Sequence, residues 1–208
     1  MSKILLVTSS PRGEASYSTR VAKELAGNLQ AKAPGATIVH RDLAADPLPH
    51  IGSQFATAVK APADRLTEKQ AKLLAGSDAA TNELLAADAV VIAAGLINFA
   101  IPSTLKSWFD HVARAHKTFR YTAEGPEGLA KGKKVYVVIA STGIYTNGSP
   151  AAPLDNARPY LKTILAFMGM TDVDFVNIEG VGLGLEPDEE ILQRALGAAN
   201  GVELSTAA

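Results

Sequence analysis

Cysteine is absent from the 208 residues. Disulfides, thiolate metal sites and thiol catalysis are therefore excluded. No apolar run approaches the ~18 residues that a membrane-crossing helix needs. Charge of one sign is not in excess either, with 20 Lys and Arg against 21 Asp and Glu. Such a balance leaves no electrostatic footprint for nucleic acid or for an anionic membrane, and neither partner is expected. The opening Met1-Ser2-Lys3-Ile4 leads straight into an apolar strand. It lacks the basic and long apolar regions of a secretory leader, so a cytoplasmic location is expected. None of His40, His50, His111 and His116 has other ligands at metal-binding spacing, and no metal is expected. There is no P-loop and no G-x-G-x-x-G run, which argues against ATP hydrolysis and a standard dinucleotide fold. Internal repeats and low-complexity tracts are also missing.

What is present is a 47% apolar chain in which short apolar runs alternate with amphipathic segments. That alternation is the signature of a parallel sheet. Strands are expected at residues 3–9, 37–43, 89–95, 134–140 and 173–178. Helices are expected at 18–32, 103–115, 159–168 and 187–199. A further helix opens on a Thr67/Gln70 capping box and runs to residue 86, with Leu66, Leu73, Ser77, Ala80 and Leu84 as its stripe. The segment between the second strand and this helix reads as a long loop. Five strands and five helices suit one flavodoxin-like domain over residues 1–208. It would be a three-layer, doubly wound parallel sheet in the order 2-1-3-4-5.

In such a sheet, ligands sit beyond the carboxyl ends of the strands where the order reverses, here between the first and third strands. The loop leaving the first strand reads SSPRGEASYS, and Ser10, Ser16 and Ser18 supply hydroxyl donors. Together with the amides opening the next helix they can hold a phosphate dianion. Taken singly, each serine reads as a helix cap or turn former; it is the three together at this position that point to phosphate. Arg12 is a further phosphate partner or a solvated loop arginine. After the third strand comes the apolar loop Gly95-Leu96-Ile97-Asn98-Phe99-Ala100-Ile101-Pro102, against which a flat aromatic ring can rest. The alternative for Ile97 and Phe99 is plain core packing. Pro102 fixes the following helix start, with Ser103 or Thr104 as its cap. Trp108 lies on that helix's apolar stripe and is read as core. Lys106, Asp110 and Arg114, spaced by four, read as a solvated salt ladder. Asp88 reads as a turn residue.

Residues 95–114, GLINFAIPSTLKSWFDHVAR, resemble the N-F-x-I-P-x-x-L-K-x-x-x-D signature of flavodoxin-like NAD(P)H:quinone reductases. The continuation Thr118-Phe119-Arg120-Tyr121-Thr122 through Gly125-Pro126-Glu127-Gly128-Leu129 is similar to the bacterial FMN-dependent NADH azoreductases. Ser9-Ser10, Ser16-Tyr17-Ser18 and Arg41-Asp42-Leu43-Ala44 match as well. The resemblance implies a homodimer with tightly bound FMN near the interface and NADH or NADPH as electron donor. It implies two-electron ping-pong hydride transfer through flavin N5 to a quinone or azo acceptor. Ser10, Ser16, Tyr17 and Ser18 would hold the FMN phosphate. Leu96, Ile97, Asn98 and Phe99 would lie along the flavin, with the Asn98 amide facing N5. Ala140, Ser141, Thr142 and Gly143 would meet the pyrimidine edge. Tyr121, and Phe167 from the partner subunit, would border the acceptor pocket; otherwise Phe167 packs in its own core. No catalytic side chain is required, because the cofactor carries the chemistry; His116 is at most an acceptor-side proton donor. The chain departs from the family pattern at two points. It has Ser141-Thr142-Gly143 where many members have S-R-G-G, and Leu96-Ile97 where Met-Tyr is usual. A flavodoxin-like electron carrier is the alternative reading, and a flavin-free hydrolase a third.

Overall fold

The computed structural model describes residues 2–146 and 148–201. Five parallel strands form the central sheet: β1 (Lys3–Thr8), β2 (Thr37–Asp42), β3 (Ala89–Gly95), β6 (Lys134–Ser141) and β7 (Asp172–Glu179). Their order is β2-β1-β3-β6-β7, which is the order expected from the sequence once the strands of the main sheet are counted alone. The two remaining strands, β4 (Phe119–Thr122) and β5 (Gly125–Gly128), make a separate antiparallel hairpin.

Alternation along each strand divides the core into two layers. Leu5, Val7, Val90, Ile92, Val137 and Ile139 pack on one face against α3 (Glu68–Ala86), α4 (Ser103–Val112) and α5 (Ala157–Phe167). Ile4, Leu6, Val91, Tyr136, Val138 and Ile178 pack on the other against α1 (Tyr17–Lys32) and α6 (Asp188–Asn200). Strands covered on both sides must be apolar at every position, which is why β3 reads AVVIAAG without a polar break. The edge strands β2 and β7 carry charge instead, and Lys134 bridges Asp172 and Asp174 at the β7 edge. Trp108 is fully buried on the α4 stripe.

Several expectations are corrected. A sixth helix, α2 (Ser53–Ala58), lies within the segment read as loop. Its Phe55 and Ala58 close a small satellite cluster with Leu74. The capping box of α3 forms, but its stripe runs through Leu74 rather than Leu73. The α4 helix stops at Val112, three residues early. The Thr118 hydroxyl donates to the Val112 carbonyl at 2.7 Å and accepts from the Arg114 amide at 2.9 Å, capping that end. Arg114 therefore leaves the helix surface. It is 8% exposed and bonds the Ser77 hydroxyl at 2.6 Å and Asp78 at 3.1 Å. Only Lys106–Asp110 remains of the proposed ladder, at 2.6 Å. Neither Ser103 nor Thr104 caps α4. Asp88 is a turn residue whose carboxylate accepts from the Lys3 amide at 2.8 Å.

The hairpin is fastened where two backbones cross. Gly128, ending β5, lies so close to the turn after α5 that a Cβ on it would fall 2.1 Å from the Gly169 nitrogen. The Ala130 amide donates to the Met168 carbonyl beside this crossing, at 2.8 Å. Among the described residues no helix is long and apolar enough to cross a membrane.

Candidate functional site

The site is built at the carboxyl end of β1. Ser9 donates its hydroxyl to the Ala93 carbonyl at 2.8 Å, locking the end of β1 against β3. The chain then makes a short turn and enters α1 at Ser16, whose extended backbone makes it the N-cap. Its hydroxyl accepts from the Thr19 amide at 3.4 Å and lies 3.1 Å from the Ser18 hydroxyl. The first backbone bond of the helix runs from the Arg20 amide to the Ser16 carbonyl, at 3.0 Å. The amides of Tyr17 and Ser18 precede it, at the positive end of the helix dipole.

These groups face a cleft of about 150 Å³. Ser10, Arg12, Ser16, Tyr17 and Ser18 line one side, Gly95 and Leu96 a second, and Ala140, Ser141, Thr142 and Val181 the rest. Four aliphatic hydroxyls besides Ser141's own face it or border it, and no carboxylate lines it. Hydroxyl and amide donors with no opposing anion, at a helix N-terminus, suit a phosphate dianion. The Tyr17 phenol donates to Asp188 at 3.2 Å, which leaves the residue's amide to face the cleft. Burial, and after it the bond to Asp188, raise that phenol above its ordinary range. The Ser141 hydroxyl is also engaged, donating to the Gly143 carbonyl at 2.8 Å.

Beside the cleft, residues 97–100 form a tight turn. The Ile97 and Ala100 amides donate to each other's carbonyls at 2.9 and 3.0 Å. Asn98 and Phe99 at its tip have φ of 47° and 68°, a left-handed pair with no glycine. Such conformations cost free energy and persist only where surrounding structure enforces them. One brace is visible: the Asn156 amide donates to the Phe99 carbonyl at 2.9 Å. The turn leaves the Asn98 and Phe99 amides without a partner among the described residues. Ile97 and Phe99 are 45% and 47% exposed, so the core-packing alternative for them is overturned. The Leu96 amide is spent on the Ala140 carbonyl at 2.8 Å, which ties this loop to the end of β6.

The expected substrate-side residues lie on and around the hairpin: Tyr121 on β4, Phe167 at the end of α5 and His116 before β4. Tyr121 is 74% exposed. Phe167 is half-buried in its own chain, its ring 4.5 Å from that of Phe119 and its side chain packed against the core. His116 is exposed, in a left-handed turn with φ of 64°. Sequence reasoning missed Val181, which lines the cleft. Gly180-Val181-Gly182 directly after the last strand was the available signal, since Gly180 and Gly182 have φ of 87° and 78°.

This arrangement is that of a nucleotide-type flavin fold, and the Flavodoxin-like fold family matches residues 2–201. An FMN-dependent NADH:quinone oxidoreductase of Agrobacterium fabrum is 54% identical over 195 residues, covering 94% of this chain and 95% of that one. Its counterpart in Mesorhizobium japonicum is 52% identical over 202 residues, covering 97% and 96%. Among solved structures, an FMN-dependent NADH-azoreductase from Bacillus anthracis in complex with FMN superposes with a TM-score of 0.88. It is 30% identical and covers 96% of each chain. The chain belongs to this family of FMN-dependent NADH:quinone oxidoreductases and azoreductases.

Proposed function

We propose that the protein is an FMN-dependent NADH:quinone oxidoreductase that also accepts azo compounds, working as one flavin-binding domain. The observation that carries this reading is the conjunction of a carboxylate-free, donor-rich cleft at the start of α1 with the strained apolar turn beside it. When bound, FMN supplies the two-electron chemistry between nicotinamide and acceptor. The chain supplies position and environment. Ser10, Ser16 and Ser18 hydroxyls and the Tyr17 and Ser18 amides hold the phosphate. Leu96, Ile97 and Phe99 give the ring an apolar bed. The amide of Asn98, unused by its own turn, donates to the ring's central nitrogen. Amides of the 140–143 segment donate at its pyrimidine edge, where negative charge gathers on reduction.

The protein acts as a homodimer in this reading. Ile97, Phe99, Tyr121 and Leu154 are large apolar side chains exposed in one chain. A second copy covers them and excludes water from the reacting rings. The electron-carrier alternative is disfavoured by the near-neutral charge, formally -1, which offers no field for docking redox partners. The test is the visible spectrum of the FMN-loaded protein without air. NADH is expected to bleach it, and a benzoquinone added afterwards to restore it, with ping-pong kinetics. Bound FMN that neither NADH nor NADPH bleaches would contradict this assignment.

A further inference from the structure

We propose that Arg158 is a positioning residue for the flavin ring, acting through the two loops that flank the cleft; this rests on the function proposed above. Arg158 does not line the cleft. Its guanidinium instead joins two carboxylates, Asp155 in the segment between β6 and α5 and Glu179 at the end of β7. One nitrogen donates to Asp155 at 2.6 Å and another to Glu179 at 2.8 Å. The remaining donors reach the Asn177 side-chain oxygen at 2.6 and 3.1 Å. The side chains of Arg158, Asp155 and Glu179 are only 12%, 7% and 9% exposed. Charges so withdrawn from water need every partner in place.

Each carboxylate in turn grips backbone. Glu179 accepts from the Tyr145 and Thr146 amides at 3.2 and 3.3 Å and from the Thr146 hydroxyl at 2.5 Å. Asp155 accepts from the Ala157 and Arg158 amides at 2.9 and 3.1 Å. One planar fork thus fixes both ends of the segment, a task for guanidinium geometry rather than for a point charge.

From each end a short chain of contacts reaches the cleft. On the Asp155 side, the next amide, Asn156, holds the Phe99 carbonyl of the strained turn at 2.9 Å. On the Glu179 side, the Tyr145 ring closes over Gly143, where a Cβ would fall 2.7 Å from the ring. Gly143 in turn takes the Ser141 hydroxyl at 2.8 Å. The Asn98–Phe99 turn and the Ser141–Gly143 segment are the two backbones between which the ring lies. Their spacing is set by Arg158.

The test is titration of the flavin-free protein with FMN and with riboflavin, alongside thermal unfolding. Arg158→Lys keeps the charge but breaks the fork, and Glu179→Gln keeps the shape but releases Tyr145 and Thr146. Both are expected to weaken FMN and riboflavin by the same factor, about tenfold, because the ring is common to the two ligands. Both are also expected to shift the visible band of the bound flavin. Arg158→Ala leaves two unpaired carboxylates; if it does not fold, the conservative variants carry the test. Affinities within about twofold of the unsubstituted protein, whatever happens to the melting temperature, overturn the proposal. So does a loss confined to FMN, which would place the effect on the phosphate. An unsubstituted protein that binds neither flavin fails the proposed function itself, and is told apart by that control.

Discussion

Replacing Ser16 and Ser18 together by alanine is expected to weaken FMN binding by about a hundredfold while leaving riboflavin affinity unchanged. A hydrogen bond to a charged group contributes about 1.5–3 kcal/mol, so two lost at a dianion amount to roughly 3 kcal/mol, near a hundredfold. The two hydroxyls are buried and 3.1 Å apart, partnered among the described residues only by each other and by the Thr19 amide at 3.4 Å. Buried hydroxyls so lightly engaged have donor capacity left for a ligand. Riboflavin lacks the phosphate and reports on the ring site alone. Loss of the Ser16 cap also costs about 1 kcal/mol of helix stability, which lowers the melting temperature but does not unfold the protein. Parallel fluorescence titrations with the two flavins check this. Equal losses for both would place the serines elsewhere than on the phosphate.

Gly128→Ala is expected to be the most damaging small substitution in the chain. The added methyl would meet the Gly169 nitrogen at 2.1 Å and its Cα and the Met168 carbonyl carbon at 2.4 Å. All three are backbone atoms, so no rotamer change relieves the clash. Gly169 has its own constraint, a φ of 96°. The two segments must separate, breaking the Ala130–Met168 bond and parting Phe119 from Phe167. Overpacking and lost contacts together cost about 3 kcal/mol or more. For a chain of this length that lowers the melting temperature by about 6–12 °C. Gly132→Ala, where a Cβ meets nothing within 4 Å but φ is 74°, is the control for backbone strain alone. A Gly128→Ala melting temperature equal to that of the unsubstituted protein would show that the crossing is looser than drawn.

What the sequence made legible was whatever local chemistry decides. The β3 run AVVIAAG could only be a strand buried on both faces, and its bounds are those expected. Thr67 and Gln70 close their capping box within three residues. The turn at Asn98–Phe99 and the serine cap of α1 could be placed because both follow strand ends at the switch point. What was not legible depends on contacts distant in sequence. The α4 helix ends where Thr118 reaches back to it, and that displaced Arg114 from a surface ladder into a buried pair with Asp78 and Ser77. The β5 segment GPEG is a poor strand former, held in place by its crossing with Gly169. Six residues of α2 are too few for a periodic pattern. Glu179 and Arg158 lie 21 residues apart, and only the return of β7 beside β6 brings them together.

A crystal structure of the protein with FMN tests the central claim most directly. The phosphate is predicted within hydrogen-bond distance of the Ser16 and Ser18 hydroxyls and the first α1 amides, with the ring against the Asn98 turn. A phosphate bound anywhere else, or a ring turned away from residues 97–99, would contradict it.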